Sequence, residues 1–412
     1  MKVKFITLGC KVNQYESQAL SEEFAAKGFE ITSQQADLYV VNTCTVTRRA
    51  DAKSKQAILR AKKENPEART VALGCMVKSN EKRLESLGVD YIVGQERKQN
   101  LLEIVLNKGE DRNKDIWSLK ISKFFNHRAF VKIQDGCDNF CTFCKIPYLR
   151  GKPRSRPKTD ILDEIKRLSS RHKEIVLCGI NLTFYGKDLA PGEDLTSLIK
   201  DILNIKTVGR VRLSSLESGN IDDDFLGLFK NEKLCPHLHL PFQSGNDRIL
   251  KLMNKKATTS FYRMIVAKAR KIKPSIAVSC DIMTGFPYET EEDFNNTVKF
   301  LQDIKPMRTH IFRFSPRENT IFEGAKITNE SCVSKRYDVL KRLAEKFSVE
   351  YKNNFLGNFL YMVTEENKNG LTCGYTENYI KVFLEENVPL GKIVKVKVNK
   401  VIGDKVYAQI SK

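Results

Sequence analysis

Three cysteines in eight residues, Cys137, Cys141 and Cys144 in CDNFCTFC, stand at the spacing C-x3-C-x2-C. Three thiolates can hold three corners of a [4Fe–4S] cube and leave the fourth iron open to a small molecule. Structural zinc is nearly always four-coordinate, and the histidine nearest in sequence, His127, lies ten residues before Cys137. The spacing favours iron, with a surface zinc loop as the competing reading.

A second set is scattered rather than clustered. Short apolar runs at Val3–Leu8, Leu38–Asn42, Thr70–Leu73 and Tyr91–Val93 are separated by polar or amphipathic stretches long enough for crossover helices, the pattern of a parallel sheet with helices on its faces. Cys10, Cys44 and Cys75 fall just beyond three of these runs, in LGC, NTC and LGC. Parallel strands all point one way, so residues past their C-terminal ends share one edge, where α/β folds place ligands. These cysteines therefore read as ligands of a second [4Fe–4S] cluster, against the alternative of three unrelated buried thiols.

The rest of the chain must position these two sets. At 412 residues it is too long for one ordinary core. The expected order is an N-terminal parallel α/β domain (1–110), a polar linker (111–128), a central partial (β/α)6 barrel (129–356) and a small C-terminal β-barrel (357–412). Six apolar runs support the central barrel: Phe130–Ile133, Ile175–Cys178, Val211–Ser214, His237–Leu240, Ile276–Met283 and His310–Phe314. Barrels of this kind place their chemistry in the loops after the strands, and CDNFCTFC follows the first. After Gly357 the period changes to two, in FLYMVTEE, YIKVFLEE and IVKVKVNKVIGDKVYAQI, with Lys395, Lys397 and Lys400 expected to project outward. His237 and His239 alternate along one strand, but no third ligand accompanies them in sequence, so a structural role is expected. Cys178, Cys235, Cys280, Cys332 and Cys373 lack ligand spacing and read as structural.

Seventy Lys and Arg against fifty Asp and Glu give a formal charge of +20, spread along the chain, which suits a polyanionic partner. No apolar signal stretch opens the sequence and no apolar run could cross a membrane. A reducing cytoplasmic setting follows, where clustered cysteines are metal ligands or catalytic groups rather than disulfides.

CDNFCTFC resembles the cluster signature of the radical S-adenosylmethionine (SAM) enzymes. LGCKVNQYES (Leu8–Ser17) and NTCTVTRRAD (Asn42–Asp51) look like the N-terminal domain of the methylthiotransferases, specifically the branch that modifies N6-threonylcarbamoyladenosine in tRNA. PYLRGKPRSRP, RLSSLES, HLHLPFQSGND and TGFPYETEEDF match the same family, and the C-terminal barrel looks like its TRAM domain. The resemblance implies two [4Fe–4S] clusters, two SAM molecules and methylthiolation of C2 of the adenine at tRNA position 37. A 5′-deoxyadenosyl radical removes the hydrogen, and a sulfur methylated at the second cluster takes its place. It further implies SAM contacts at Phe143, Gly179, Asn181, Ser214, Glu217, Gln243 and Gly285. Arg150, Lys152, Arg154, Arg156, Lys395 and Lys397 are expected to meet RNA phosphates, with the anticodon stem–loop of ANN-decoding tRNAs as partner. A flavodoxin or ferredoxin is the expected electron donor, and the sulfur donor is unassigned. Two stretches depart from the family pattern: MNKKAT carries Lys255 in place of arginine, and FRFSPRENT lacks the usual tyrosine and glycine. The rivals are the same chemistry on a ribosomal-protein aspartate, a radical enzyme without the second cluster, and a non-catalytic zinc-stabilised RNA-binding protein.

Overall fold

The computed structural model describes residues 1–109, 114–217, 219, 221–325 and 329–411. Residue 110 of the expected first domain, residues 111–113 of the expected linker, Ser218 of RLSSLES and the last residue of the expected C-terminal barrel, 412, lie outside the described residues. Five parallel strands form the first sheet: β1 (Lys2–Thr7), β2 (Glu30–Ile31), β3 (Leu38–Thr43), β4 (Arg69–Gly74) and β5 (Tyr91–Val93), in the order β2-β1-β3-β4-β5. The apolar runs are four of these strands. The fifth, β2, is a two-residue exposed edge with no run to mark it. Helices α1 (Lys11–Ala26), α2 (Arg48–Glu64) and α3 (Val77–Ser86) follow β1, β3 and β4. β3 is buried along its whole length, as a parallel strand covered on both faces must be.

The stretch before the barrel is a packed strap. Ile116, Leu119, Ile121 and Phe124 are buried, the Tyr15 hydroxyl donates to the Leu119 carbonyl at 2.9 Å, and the Ile121 amide donates to Glu164 at 3.0 Å. One apolar core runs from Val3 and Phe24 of the first sheet through Phe130 and Ile165 of the barrel to Leu340 and Phe347 of the closing helix.

Strand β6 (Arg128–Lys132) leads to a two-residue ladder of β7 (Gln134–Asp135) with β8 (Arg154–Ser155), which brackets the CDNFCTFC loop. Then come β9 (Glu174–Cys178), β10 (Arg210–Leu213), β11 (His237–Gln243), β12 (Ala277–Thr284) and β13 (Arg308–Arg313). They form two parallel sheets, β10-β9-β6 and β11-β12-β13, joined by the parallel bridges Val211–Leu234 and Ser215–His239. Six strands thus curve in sequence order into an open barrel. The C-terminal strands β14 (Phe359–Lys368), β15 (Leu371–Thr376), β16 (Lys381–Leu384), β17 (Ile393–Ile402) and β18 (Lys405–Ile410) close on themselves as β14-β15-β16-β18-β17.

The small barrel plugs the N-terminal end of the large one. Glu174 sits at the base of β9 with Arg210 at 2.5 Å and Arg212 at 2.7 Å. These arginines donate onward to carbonyls of the small barrel: Arg210 to Tyr361 and Tyr375, Arg212 to Thr376 and Glu377. Tyr379 inserts between them, stacked on Tyr375 with centroids 4.9 Å apart and lying under the Arg212 guanidinium at 4.7 Å. Burial alone would push the Glu174 carboxyl up, but Arg210, Arg212 and Arg128 hold it well below the usual carboxylate range. Removing one partner from a buried ion pair costs about 3–5 kcal/mol. Glu174→Gln is therefore expected to lower unfolding stability by about that amount and to open the junction to limited proteolysis near residue 357, measured by urea titration and by fragment mass.

Candidate active site

Each cysteine of the scattered set lies where a parallel strand hands over to a helix. Cys10 is the residue before α1, Cys44 follows β3 and precedes α2, and Cys75 follows β4 and precedes α3. Helix N-termini carry partial positive charge, which favours thiolate there. Two of these cysteines are reached through left-handed glycines. Gly9 has φ 95°, and a Cβ there would stand 3.0 Å from Cys44 Sγ; Gly74 has φ 98°, and a Cβ would strike the Thr43 carbonyl at 2.5 Å. The three thiols are electrostatic neighbours. Burial pushes the Cys44 thiol up to about 11, so binding metal here means displacing protons.

Beneath this triad lies a buried charge network. Arg150 Nε donates toward Cys75 Sγ at 3.4 Å, and Gln95 Nε2 does so at 3.5 Å. The same guanidinium reaches Asp135 at 2.9 Å, Glu16 at 3.2 Å and Asn13 Oδ1 at 2.9 Å. Lys132 bridges Asp135 at 2.6 Å and Glu16 at 2.8 Å, and Lys98 pairs with Glu16. These five charged side chains are at most 1% exposed. Burial by itself would raise the Glu16 carboxyl, yet Arg150, Lys132 and Lys98 hold it well below its usual range. Burial pushes Lys98 down to about 8. Three cations face two carboxylates, so the network leaves one positive charge directed at the cysteines. Sulfur donors backed by surplus positive charge fit a thiolate-held iron–sulfur cluster.

The second triad sits in the loop after β7. Cys137 N donates to the Gly151 carbonyl and Cys144 N to the Cys141 carbonyl. Thr142 is tied by its amide to Met253 and by its hydroxyl to Leu252. Asn254 Nδ2 holds the carbonyls of Asn139 and Phe140 at 3.0 and 3.1 Å. Burial pushes Cys141 up to about 11 and Cys144 to about 12. Among the described residues, only His239, Asp281 and His310 bring three metal-binding atoms within 4.8 Å of one another. Neither cysteine triad draws its sulfurs that close, whereas zinc holding sulfur at ~2.3 Å needs them about 4 Å apart.

Two cavities border this loop. One of about 390 Å³ is lined by Asn139, Phe184, Glu217 and Lys255 among others. The second, about 190 Å³, runs from Phe143 and Cys144 past Gln243, Asp281, Met283 and Phe312 to Thr45, Val46 and Thr47. One wall of it is thus beside Cys144 and the opposite wall is one residue from Cys44.

The comparisons agree with this architecture. Residues 2–94 match the uncharacterized protein family UPF0004, residues 131–301 the radical SAM superfamily and residues 362–409 the TRAM domain. The threonylcarbamoyladenosine tRNA methylthiotransferase MtaB of Aquifex aeolicus is 38% identical over 96% of this chain and 100% of its own length. The namesake from Bacillus subtilis is 35% identical over 97% and 94%. The chain belongs to the threonylcarbamoyladenosine tRNA methylthiotransferase family. The tRNA-2-methylthio-N(6)-dimethylallyladenosine synthase of Acetivibrio thermocellus is 33% identical over 96% of this chain and 88% of its own length. In fold, the chain is similar to the radical SAM methyltransferase TsrM of Kitasatospora setae, with TM-score 0.59 and 13% identity over 78% of this chain and 77% of that one.

Of the residues expected to contact SAM, three line the cavities that border the CDNFCTFC loop. Phe143 and Gln243 line the smaller cavity and Glu217 the larger. Ser214 Oγ and Asn181 Nδ2 are buried without a hydrogen-bond partner among the described residues. Gly179 packs on Gln134, and Gly285 has φ 74° with room for a Cβ denied by Val333 at 2.7 Å. Lys255, the departure in MNKKAT, pairs with Glu217 at 2.6 Å. Arg317, within the departing FRFSPRENT, crosses to the first domain and donates to Thr45 and Asp51 next to Cys44.

Two phosphate contacts expected from sequence are corrected. Arg150 belongs to the buried network, and Arg156 is buried on Glu164 at 2.8 Å and Tyr15 at 3.1 Å. Neither guanidinium can reach a phosphate, whereas Lys152 and Arg154 in the same loop remain exposed. A third metal-binding partner for His239, absent from its local sequence, comes from the adjoining strands as Asp281 and His310. Arg150→Met is expected to leave the Cys137 loop intact but to strand Glu16 and Asp135. Iron and sulfide per chain after reconstitution should then fall to about half the wild-type value, since only one of two equal clusters is retained.

Proposed function

We propose that this enzyme methylthiolates C2 of N6-threonylcarbamoyladenosine at position 37 of tRNA. Cys137, Cys141 and Cys144 would hold the [4Fe–4S] cluster that binds SAM, and Cys10, Cys44 and Cys75 the second cluster. The observation that carries this reading is the 190 Å³ cavity with Cys144 on one wall and Thr45 on the other, because a base seated there lies between both cysteine sets. When bound, SAM and the clusters supply the radical that takes hydrogen from C2 and the sulfur and methyl group that replace it. An aromatic C–H is beyond any side-chain base, so no acid–base pair is required of the protein. Its own residues seat the base. Phe143, Met283, Phe312 and Phe314 offer apolar and aromatic walls for an unstacked base, and Gln243 and Asp281 offer polar edges.

RNA is held elsewhere as well. On the small barrel, exposed Phe359 and Tyr361 stand opposite Lys397 and Lys395 in the β14–β17 ladder, with Lys395 Nζ 4.5 Å from the Phe359 ring centroid. Aromatic faces interleaved with lysines suit stacking and phosphate contact. The substrate element we assign is the anticodon stem–loop, whose bases splay out without breaking a duplex. A flavodoxin or ferredoxin in the cytoplasm would supply the electron. The named relatives act on tRNA adenosines, which favours neither a ribosomal-protein substrate nor a zinc-bound, non-catalytic protein.

The test is nucleoside mass spectrometry on tRNA from a strain lacking this gene, complemented with wild type, Cys137→Ala or Cys10→Ala. Only the wild type should restore the 2-methylthio derivative, with its precursor accumulating in the others; an unchanged profile in the deletion strain overturns the proposal. Separately, replacing Lys395 and Lys397 by alanine should weaken stem–loop binding and reduce the slope of log K against log salt by about 0.7–0.9 for each phosphate no longer neutralised.

A further inference from the structure

Side chains on the lumen face of the large barrel are sorted by depth. Parallel register places His239 opposite Ser279 and Asp281 opposite His310. Along β13, Arg308 lies at the base, His310 in the middle and Phe312 at the mouth. Along β12 the same steps are Ser279, Asp281 and Met283. Phe312, Met283 and Asp281 line the cavity between the cysteine triads, so the lumen continues downward from that cavity, beginning at Asp281. His239 and Asp281 keep 14% and 20% of their side chains accessible although they stand inside the barrel. His310, Arg308 and Lys11 are likewise half-buried rather than sealed. The lumen has room.

Its charge is unbalanced. Lys11, the first residue of α1, acts electrostatically on Cys178, His237, His310 and Tyr379. Arg308 acts on His237, His310 and Tyr379 as well, with its guanidinium 5.9 Å from the Tyr379 ring centroid. Among the described residues neither cation has an ion pair or a side-chain hydrogen bond, and the His310 ring has no hydrogen bond. Asp281, the carboxylate paired in register with His310, is engaged by His239 Nε2 at 3.2 Å, and His239 Nδ1 meets Ser279 Oγ at 2.8 Å. Two cations without an ion pair and an imidazole without a hydrogen bond therefore lie below the cavity that Phe312, Met283 and Asp281 line. Partly buried charge without a partner is costly and marks a site that waits for an anion.

We infer that the lumen below the base cavity is the receptor for the anionic N6 substituent of the substrate, with Lys11 and Arg308 pairing its carboxylate and His310 hydrogen-bonding its hydroxyl or carbamoyl group. The inference rests on the tRNA reading above and deepens it. On the adenine ring N6 is attached one atom beyond N1 from C2, so a base that presents C2 to the cysteine sets at the mouth can direct N6 toward the lumen. Relatives of similar identity are named for a dimethylallyl substituent, which is apolar and uncharged. Cations at this depth would discriminate against such a group by leaving themselves unpaired.

The experiment measures binding of the reconstituted full chain to three anticodon stem–loop RNAs. They carry N6-threonylcarbamoyladenosine, its methyl ester, or unmodified adenosine at position 37. Wild type should prefer the free acid over the ester by about tenfold or more, the range of a partly desolvated charge pair. Lys11→Met and Arg308→Gln should each collapse that ratio toward one. Arg308 is remote in sequence from every cluster cysteine, so its variant, verified by unchanged iron content, keeps the test valid if Lys11→Met disturbs the neighbouring Cys10. Equal wild-type affinity for acid and ester, or a ratio preserved in both variants, overturns the receptor. Wild type that binds none of the three RNAs overturns the tRNA reading itself, a distinct outcome.

Discussion

Five charges removed from water at the junction of two domains are the constraint on which the rest of this molecule depends. Glu16 and Lys98 belong to the first sheet domain, while Lys132, Asp135 and Arg150 belong to the barrel. Each would be prohibitive alone, since an unpaired ion in the interior costs several kcal/mol. They are tolerable only together, which means only when the two domains meet in one register. That register carries the CDNFCTFC loop, because Arg150 ends the helix that follows it and Asp135 precedes it. It also carries the first triad, because Arg150 reaches Cys75. Arg317 latches the opposite side of the same junction at Thr45 and Asp51. The spacing between the two cysteine sets is thus held by side chains that take no part in the chemistry.

Much of this was legible from residue order. Parallel strands bury both faces, so Leu38–Asn42 and Ile175–Cys178 announce themselves as apolar runs, and cysteines placed after such runs converge through topology alone. What sequence could not show was burial of charge. PYLRGKPRSRP reads as a basic loop, yet its basic residues divide: Lys152 and Arg154 meet solvent, whereas Arg150 and Arg156 turn inward to Glu16, Asp135 and Glu164. Those carboxylates are distant in sequence and carry no local signal. The partners of His239 were hidden for the same reason, since Asp281 and His310 become its neighbours only through the β11-β12-β13 register. The strand β2 was missed because two exposed residues have no periodicity to read.

The two stretches that depart from the family pattern prove to be structural joints. Lys255 replaces an arginine and closes on Glu217 as a compact point charge, which a single ammonium can do without the planar fork of a guanidinium. The segment without the usual tyrosine and glycine supplies Arg317. In both places altered residues are absorbed by ion pairs, Lys255–Glu217 in the wall of the larger cavity and Arg317–Asp51 at the junction of the domains.

The plug formed by Tyr379 and the Glu174 arginines has a mechanical meaning. A small barrel anchored by backbone carbonyls and a stacked ring cannot swing on a tether. It stands at one end of the large barrel, and the cavity opens at the other. Whatever the small barrel holds is thus kept at a constant offset from the cavity. The molecule works as a calliper whose span is set by the junction of its two barrels.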